Sequence, residues 1–348
     1  MTKPSIAITL GDPAGVGPEI IVGAWSNPAI HEFCRPLCVG HPEILWRAVR
    51  LLHSRARVVQ ISRPEEARPS SDVIPCLKAG PDDVLEMTPG TVDKRGGQAA
   101  YDALVVAARE ALAGRVDGLT TAPLHKGALW QAGHHYPGHT ELLAELCGVD
   151  DFAMMLYLGP GPDVRGAAGL AIVHVTLHMA LSEVFAALTE EAIVRKSRLV
   201  SRVMAELKGS LPRVGVCALN PHAGEEGLFG NEEQTLIRPA IERGLAEGLD
   251  LTGPLPADTL IGRARDGEFD AVVAMYHDQG HIAIKLLAMH RAVNVTLGLP
   301  IVRTSVAHGT AFDVAWQGRV EPAGMIEALR VASRLANSPL RNSVAAQS

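Results

Sequence analysis

Three histidines follow three separate apolar segments of this sequence, each within a few residues of the segment's end. His178 follows Leu170–Val175, His222 follows Arg213–Leu219, and His277 follows Ala271–Met275. Imidazole nitrogens suit zinc, and they also bind iron, cobalt and manganese. If the segments are strands of an open α/β sheet, ligands collect beyond their carboxyl ends. The shared placement of the three histidines therefore predicts a metal site.

A fourth histidine, His174, lies four residues before His178, which is the outer spacing of the zinc-protease motif HExxH. The glutamate of that motif is missing, and the segment follows an apolar strand. Positions four apart in an extended chain are separated by roughly 13 Å, so both cannot bind one metal. We therefore reject a protease and interpret His174 as a packed or hydrogen-bonded strand residue.

Polar side chains elsewhere in the chain could hold an anionic substrate. Lys285 follows the third histidine, Asn294 lies on the next predicted strand, and Arg303 lies at the end of the strand after that. A Lys, an Asn and an Arg from neighbouring elements form a plausible anion clamp. His139 and Thr140 follow a Pro-Gly turn and open a helix, where Thr140 is either a substrate contact or an ordinary N-terminal helix residue.

Two glycine-rich turns could bring backbone amides to a cofactor phosphate. The first, Gly11–Gly17, joins the predicted strand Ser5–Leu10 to a helix that can start at Pro18. It does not match the dinucleotide fingerprint GxGxxG or a Walker loop. The second turn contains Gly309, Thr310 and Asp313 and follows a predicted strand. Neither turn alone specifies a nucleotide.

The elements that position these residues alternate between strands and helices, which predicts an α/β fold with a mainly parallel sheet. The predicted strands are Ser5–Leu10, Pro36–Gly40, Val58–Ile61, Gly118–Thr121, Phe152–Leu158, Leu170–Val175, Arg213–Leu219, Ala271–Met275, Val293–Leu297 and Ile301–Thr304. The clearest helices are Gln98–Leu112, Thr140–Leu146, Glu190–Leu207, Glu232–Glu247 and Gly324–Asn337. Phe152–Leu158 and Leu170–Val175 resemble a hairpin, and Ser62–Asp83 is expected to be a surface excursion.

Composition limits the partners and the compartment. The chain has 348 residues, a net charge of −6, and 47% hydrophobic but only 4% aromatic residues. That length suits two α/β domains. No long basic run or roughly 20-residue apolar stretch occurs, so we expect neither nucleic acid nor a membrane as a partner. The five cysteines argue against a disulfide framework, and the short apolar N-terminal run does not fit a signal peptide, so we predict a cytoplasmic protein.

Several long segments together resemble the 4-hydroxythreonine-4-phosphate dehydrogenase family, known as PdxA. The segments are GDPAGVGPE from Gly11, TAPLHK from Thr121, PGHTE from Pro137, LNPHAGEEGLFGNEE from Leu219, YHDQGH from Tyr276 and NVTLGLPIVRTSVAHGTAFD from Asn294. The resemblance implies a two-domain isocitrate/isopropylmalate-dehydrogenase-like fold of α/β/α layers, with the active site in the interdomain cleft. We place an NAD-side domain at 1–130 plus 300–348, and a metal, substrate and dimerisation domain at 131–299.

The resemblance also implies roles for individual residues. It makes His178, His222 and His277 metal ligands in a homodimer, with His277 reaching across from the partner subunit. It makes His139, Thr140, Lys285, Asn294 and Arg303 substrate-binding residues, and it places NAD or NADP at the loop of Gly309, Thr310 and Asp313. The implied metal is one divalent ion, with zinc as the first choice and magnesium, manganese or cobalt as alternatives. Lys285 and Asp278 are both candidates for the catalytic base.

The sequence departs from the usual family pattern at a few positions. His125 stands where Asn is usual, Ala307 replaces a common Asp, and Trp316 replaces a common Gly. Trp316 and the run Gly280-His281-Ile282 are more similar to a paralogous branch, the D-threonate/D-erythronate 4-phosphate dehydrogenases.

The expected function is a metal-dependent, NAD-linked oxidation, with decarboxylation, of a 4-phosphorylated hydroxy acid. The substrate could be 4-phosphohydroxy-L-threonine or D-threonate/D-erythronate 4-phosphate. One alternative is a cis-dihydrodiol carboxylate dehydrogenase of the terephthalate type. Alternatives of other classes are a metal-dependent hydrolase or lyase without NAD, and a non-catalytic sugar-acid-binding protein.

Overall fold

The computed structural model describes residues 3–338, and these form two compact units. Within the described range, the first unit contains residues 3–150 and 299–337, and the second contains residues 151–298 and 338. Residues 131–150 thus group with the first unit. The division predicted from the sequence remains a prediction, and residues 339–348 of its first domain lie outside the described residues.

The first unit contains a six-stranded sheet in the order β3-β4-β2-β1-β5-β12, and every pairing in it is parallel. Its strands are β1 (Ser5–Thr9), β2 (Arg35–Gly40), β3 (Arg57–Ile61), β4 (Val73–Lys78), β5 (Gly118–Thr121) and β12 (Arg303–Val306). The central strand β1 is almost wholly buried because it is covered on both faces, as parallel strands with apolar runs usually are. The expected parallel α/β arrangement is confirmed for this unit.

Helices connect the strands of the first unit. They are α1 (Gly17–Trp25), α2 (Pro28–Phe33), α3 (Pro42–Leu51), α4 (Lys94–Leu112), α5 (Lys126–Gln131), α6 (His139–Cys147) and α12 (Ala323–Ala336). The longest of them, α4, begins where the side chain of Asp93 accepts a hydrogen bond from the backbone N–H of Arg95. Its alanine-rich face packs into a core with strand residues such as Leu37 and Leu119. This packing holds the carboxyl ends of β1 and β5 in place.

The second unit contains a mixed six-stranded sheet in the order β11-β6-β7-β10-β8-β9. Its strands are β6 (Ala153–Leu158), β7 (Leu170–His174), β8 (Arg213–Cys217), β9 (Asp250–Leu255), β10 (Ala271–Ala274) and β11 (Val293–Leu297). β6 pairs antiparallel with both β7 and β11, which confirms the hairpin expected from the sequence. β7, β10, β8 and β9 are parallel, so their carboxyl ends lie at one edge of the sheet.

The helices of the second unit are α7 (Leu181–Ala187), α8 (Glu190–Lys208), α9 (Arg238–Ala246), α10 (Ala257–Arg265) and α11 (His277–Ala288). α8 begins at the hydroxyl of Thr189, which accepts from the N–H of Ala192, and it ends at Gly209, which has a left-handed φ of 79°. These are the usual signals for the two ends of a helix. No helix within residues 3–338 is long and apolar enough to cross a membrane.

One expectation about the fold was wrong. Ser62–Asp83 is not a surface excursion, because it contains β4, an inner strand between β2 and β3. The segment is rich in Pro, Ser and acidic residues, which are unusual in an inner strand, and Pro75 also lacks a backbone donor. The pyrrolidine is accommodated opposite Val59, and the flanking Ile74 and Cys76 are fully buried. The burial of this apolar run outweighs the missing hydrogen bond.

Candidate functional site

Two of the three predicted metal ligands lie close together in the second unit. His178 follows β7 and His277 begins α11 directly after β10, and their ring centroids are 5.7 Å apart. The two strands are parallel neighbours, so the chain leaves both at the same edge. The hydroxyl of Thr176 donates to the carbonyl of Met275 at 2.8 Å, which ties the two following segments together. Both histidines line a pocket of about 350 Å³ with Leu177, Met179, Leu181, Val184, Tyr276 and Asp278.

The imidazole of His277 is oriented by its neighbour in the chain. Its Nδ1 lies 2.7 Å from Oδ1 of Asp278, so Nδ1–H donates to the carboxylate and Nε2 is left as the acceptor nitrogen. Carboxylates that fix a ligating histidine in this way are usual around metal ions. The arrangement therefore fits a divalent cation at Nε2, and it gives Asp278 a contact with the histidine rather than with a substrate.

The third predicted ligand, His222, lies in a turn with unusual backbone geometry after β8. His222, Ala223, Glu225 and Glu226 all have left-handed φ values, between 43° and 56°. Such a run is costly for residues with a Cβ, by roughly 1–2 kcal/mol each. Strain of this kind persists where surrounding contacts impose it, and functional sites are frequent locations.

Buried Glu233 anchors the start of this turn. Its carboxylate accepts from the backbone N–H groups of Leu219 and Asn220 at 2.8 and 2.7 Å, and from the Asn220 side chain at 3.0 Å. Burial opposes ionisation of Glu233, but the hydrogen bonds from Asn220 and Leu219 outweigh it and lower the pKa. The fixed carboxylate therefore determines how the turn that carries His222 leaves β8.

The three predicted ligands are not gathered in one chain. Within residues 3–338, no three His, Cys, Asp or Glu side chains are arranged so that they could hold a metal ion. The ring of His222 faces Phe229, at a centroid distance of 6.3 Å. One chain thus supplies the pair His178 and His277, and its His222 lies apart from that pair.

Two further histidines extend the pair into the interior. The ring of His281 stacks on His277 with centroids 3.7 Å apart and planes 11° apart. Its Nδ1 lies 3.1 Å from Nε2 of His174. Burial lowers the pKa of His174 to about 3 and that of His281 to about 4, so both rings are neutral at neutral pH. His174 is the buried, hydrogen-bonded strand residue that the sequence predicted.

The predicted substrate-binding residues of the second unit lie on α11 and β11. Lys285 is half-buried and lies two helical steps of four residues from His277, so the two share one face of α11. Asn294 lies on β11, and none of residues 3–338 forms a hydrogen bond with its buried Oδ1. A buried acceptor without a donor is costly, so this oxygen is suited to a ligand hydroxyl or ammonium group.

The other predicted substrate-binding residues are grouped in the first unit. His139 and Thr140 are the first two residues of α6, and Arg303 is the first residue of β12. Nη2 of the buried Arg303 donates to the hydroxyl of Thr121 at 2.8 Å. Burial first, and then the positive charges of Arg303 and Lys126, lower the pKa of His139 well below its usual value. Two cations beside a neutral imidazole at a helix N-terminus suit an anion.

The predicted cofactor loop packs against the other glycine-rich turn. The backbone N–H of Val16 donates to the carbonyl of Thr310 at 3.0 Å. A Cβ on Gly15 would lie 2.9 Å from that carbonyl oxygen, so glycine permits the close approach. Gly309 faces open space on its Cβ side, and the backbone carbonyl of Asp313 accepts from the side chain of Gln317. The structure thus brings together two turns that were individually inconclusive.

Sequence reasoning did not identify two residues near these groups. His281 was noted only as a departure from the family pattern, and Lys126 only as the last letter of a motif. His281 lies four residues after His277, so its contact with His277 could have been predicted if α11 had been known to begin at His277. Lys126 lies in α5, and its proximity to His139 depends on the fold.

The fold and the site define a class of protein. A solved structure of isocitrate dehydrogenase from Methylococcus capsulatus is 16% identical and matches with a TM-score of 0.51 over 99% of this chain and 89% of its own, which shows a shared fold. The family model for the pyridoxal phosphate biosynthetic protein PdxA matches residues 32–332. The chain belongs to the PdxA family, so the family and the oxidoreductase class expected from the sequence are confirmed.

Curated relatives cover nearly the whole chain. The 4-hydroxythreonine-4-phosphate dehydrogenase of Trichlorobacter lovleyi is 45% identical over 96% of this chain and 98% of its own length. The D-threonate 4-phosphate dehydrogenase of Cupriavidus necator is 42% identical over 96% of this chain and 97% of its own length. The similarity therefore extends to both branches that the sequence pointed to.

Solved structures agree with these relatives. The 4-hydroxythreonine-4-phosphate dehydrogenase of Klebsiella pneumoniae is 39% identical, with a TM-score of 0.85 over 96% of this chain and 100% of its own. A terephthalate 1,2-cis-dihydrodiol dehydrogenase from Burkholderia xenovorans is less similar, at 30% identity and a TM-score of 0.63 over 95% and 98% of the two chains. The dihydrodiol alternative is therefore less favoured than a phosphorylated substrate.

Proposed function

We propose that this protein is a metal-dependent dehydrogenase that uses NAD or NADP to oxidise a secondary hydroxyl of a 4-phosphorylated hydroxy acid, with decarboxylation. The observation that carries the proposal is the pair His178 and His277, with Nε2 of His277 left available by Asp278. A bound divalent metal would lower the pKa of the substrate hydroxyl, and a nicotinamide ring would accept the hydride.

We propose the following substrate contacts within each unit, taken separately. His139, Thr140 and Arg303, with Lys126 beside them, bind the phosphate end, because cations and a helix N-terminus stabilise a phosphate there. Lys285 and Asn294 bind the hydroxy-acid end, where the buried Oδ1 of Asn294 accepts from a substrate hydroxyl. The turn containing Gly309, Thr310 and Asp313 contacts the cofactor through its backbone.

Of the two candidate bases, we propose Lys285. Asp278 already accepts a hydrogen bond from His277 at 2.7 Å, which suits a residue that orients the metal ligand. Lys285 lies in the last turn of α11, and its Nζ, in the neutral amine form, would accept the proton of a substrate hydroxyl whose pKa a bound metal would lower.

We further propose a homodimer that completes the metal site. Within residues 3–338 one chain does not gather its three histidines, and large apolar side chains in α7, in α11 and just after α11 are exposed. These side chains are Leu181, Phe185, Ile282, Leu286 and Met289, each more than half exposed. Large exposed apolar side chains are frequent at protein interfaces. A second copy of the chain would cover these side chains and, as the family resemblance implies, bring its own His277 to the site.

The direct test is the absorbance of newly formed NADH or NADPH. D-threonate 4-phosphate, D-erythronate 4-phosphate, 4-phosphohydroxy-L-threonine and a terephthalate cis-dihydrodiol should be offered separately, with zinc, magnesium, manganese or cobalt. We expect turnover with a phosphorylated substrate and none with its dephosphorylated form. Turnover of substrate without any nicotinamide would instead establish a hydrolase or lyase.

A mixed dimer tests which histidine crosses between subunits. His178→Ala and His277→Ala chains are each inactive in this proposal. If His277 belongs to the site of the partner subunit, a mixed dimer contains one site with both histidines intact, and activity returns on mixing. If both act within one chain, each site of the mixed dimer lacks one ligand and activity stays absent. Mixing two preparations of His178→Ala controls for recovery without exchange.

A further inference from the structure

We infer that His281, held by its hydrogen bond to His174, is a positioning residue that fixes the imidazole plane of His277 for metal binding. This inference rests on the proposed role of His277 as a metal ligand. It goes beyond that role because it assigns a function to two buried histidines that are not themselves among the three predicted ligands.

The ring contacts are the first part of the evidence. His281 lies nearly parallel to His277, with planes 11° apart and centroids separated by 3.7 Å. Stacking at this distance restricts the tilt of the outer ring. Asp278 fixes the same ring at its edge, through Nδ1. The His277 imidazole is therefore held by a contact on one face and by a hydrogen bond in its plane.

The hydrogen bond to β7 is the second part. Nδ1 of His281 lies 3.1 Å from Nε2 of His174, which is fully buried, and His281 itself is 7% exposed. Without this hydrogen bond the His281 side chain could rotate away from His277. Bonded to His174, which is buried on β7, the His281 ring is held in one orientation. The chain of contacts thus runs from the rigid sheet through His174 and His281 to His277.

The backbone of α11 is adapted to this arrangement. A Cβ on Gly280 would overlap Nε2 of His174 and lie 2.6 Å from Cγ2 of Ile172. Glycine at this interior helix position lets the His174 ring approach α11 and reach His281. Glycine is otherwise unfavourable inside a helix, so its presence here is accounted for by the close approach.

The two inner histidines act through His277 and are not ligands themselves. No set of three His, Cys, Asp or Glu side chains in residues 3–338 has the geometry of a metal site, although four imidazoles are in contact there. Face-to-face stacking also places the ring nitrogens of His277 and His281 side by side, so they do not converge on a single metal ion. The role that remains is orientation of the outer ring.

The test is a titration of the full-length protein with Co²⁺ alone, followed by visible spectroscopy and calorimetry. We expect His281→Leu to weaken Co²⁺ binding by roughly 10- to 100-fold and to change the d–d absorption bands. His281→Gln can keep the bond to His174, and His281→Phe can keep the stacking, so each should recover part of the affinity. His290→Leu, at an exposed histidine of the same unit, is the matched control.

The possible outcomes separate this inference from the function on which it rests. If the wild-type protein binds no Co²⁺, or if His178→Ala binds it unchanged, the proposed metal site is wrong. If wild type binds Co²⁺ and depends on His178, but all three His281 variants bind with wild-type affinity and spectrum, the inference is overturned. Circular dichroism of His281→Phe, compared with the wild type, distinguishes a loss of Co²⁺ affinity from a loss of folding.

Discussion

Nδ1 of His277 and Oδ1 of Asp278 lie 2.7 Å apart, although the Asp278 side chain is 67% exposed. An exposed carboxylate contributes little to folding, so its contact with His277 can be tested without unfolding the protein. Asp278→Asn removes the charge and allows the amide to donate to Nδ1, which would select the wrong tautomer. We expect metal affinity to fall roughly 10- to 100-fold while the unfolding free energy changes by less than about 0.5 kcal/mol.

The chain offers a closely matched control for that substitution. Asp258 is the second residue of α10, as Asp278 is of α11, and it is also exposed. Asp258→Asn therefore reproduces the loss of a carboxylate in the first turn of a helix, without the histidine. Calorimetric metal titration of both variants measures the difference. Equal affinities in the two variants would show that Asp278 does not orient His277.

Glu233 is expected to be essential for the turn that carries His222. Glu233→Gln removes the buried charge and can keep one oxygen for the backbone N–H groups of Leu219 and Asn220, which share Oε1, but it places an NH2 group where Oε2 accepts from the Asn220 side chain. We expect the unfolding free energy to fall by about 2 kcal/mol, because hydrogen bonds to a buried charge contribute most. Urea unfolding measures the loss, and the metal affinity should fall with it because His222 loses its support.

The neighbouring residue provides the comparison for Glu233. Glu232 is only half-buried and accepts a single hydrogen bond, from the side chain of Asn220. Glu232→Gln should lower the unfolding free energy by under about 1 kcal/mol. The folded-state pKa of Glu233 is lowered, so its stabilising contribution is present near neutral pH and is lost as the pH falls through that value. A larger loss of unfolding free energy for Glu232→Gln than for Glu233→Gln would contradict the role of Glu233 as the anchor of the turn.

Much of the sheet could be predicted from the sequence because apolar strands alternate with helices of clear periodicity. β4 and β9 were not predicted, and each contains a proline in its interior: Pro75 in β4, and Pro254 after Gly253 in β9. Proline removes a local signal for a strand, whereas burial of the flanking apolar residues is a property of the whole sheet. Local patterns therefore underestimate strands whose stability comes from tertiary packing.

The histidine cluster marks the limit of sequence reasoning at the site. Spacing excluded His174 as a partner of His178 in one metal site, and the structure agrees that His174 is an interior residue. The contact between His174 and His281 joins residues 107 positions apart, and no local pattern predicts it. It becomes apparent only when β7 is known to pair with β10 and α11 is known to begin at His277.

Two helix glycines should respond in opposite ways to the same substitution. A Cβ on Gly262 in α10 meets nothing within 4 Å, so Gly262→Ala should stabilise the protein by about 0.5–1 kcal/mol. A Cβ on Gly280 in α11 would overlap His174, so Gly280→Ala should destabilise it by about 1–3 kcal/mol. Urea unfolding of the two variants measures the difference. A stabilising Gly280→Ala would mean that His174 can move away freely.

Asp12, in the first glycine-rich turn, should make stability depend on pH. Its side chain is fully buried; Oδ1 accepts from the N–H of Ala14, and no group within residues 3–338 donates to Oδ2. Burial raises the pKa of Asp12 from 3.8 to about 6, with a smaller contribution from the charge of Asp93. A raised carboxyl pKa means that the folded state favours the protonated form.

The sign of the effect follows from that preference. The contribution of Asp12 to the unfolding free energy of the wild type should be most favourable below about pH 4. It should become less favourable, by roughly 3 kcal/mol in all, as the pH rises through 6. Asp12→Asn keeps the acceptor for Ala14 but cannot ionise, so its stability relative to wild type should increase over that interval. Urea unfolding at pH 4.5 and pH 7.5 measures the two differences. If the variant and the wild type differ by the same amount at both values, Asp12 does not titrate in this range.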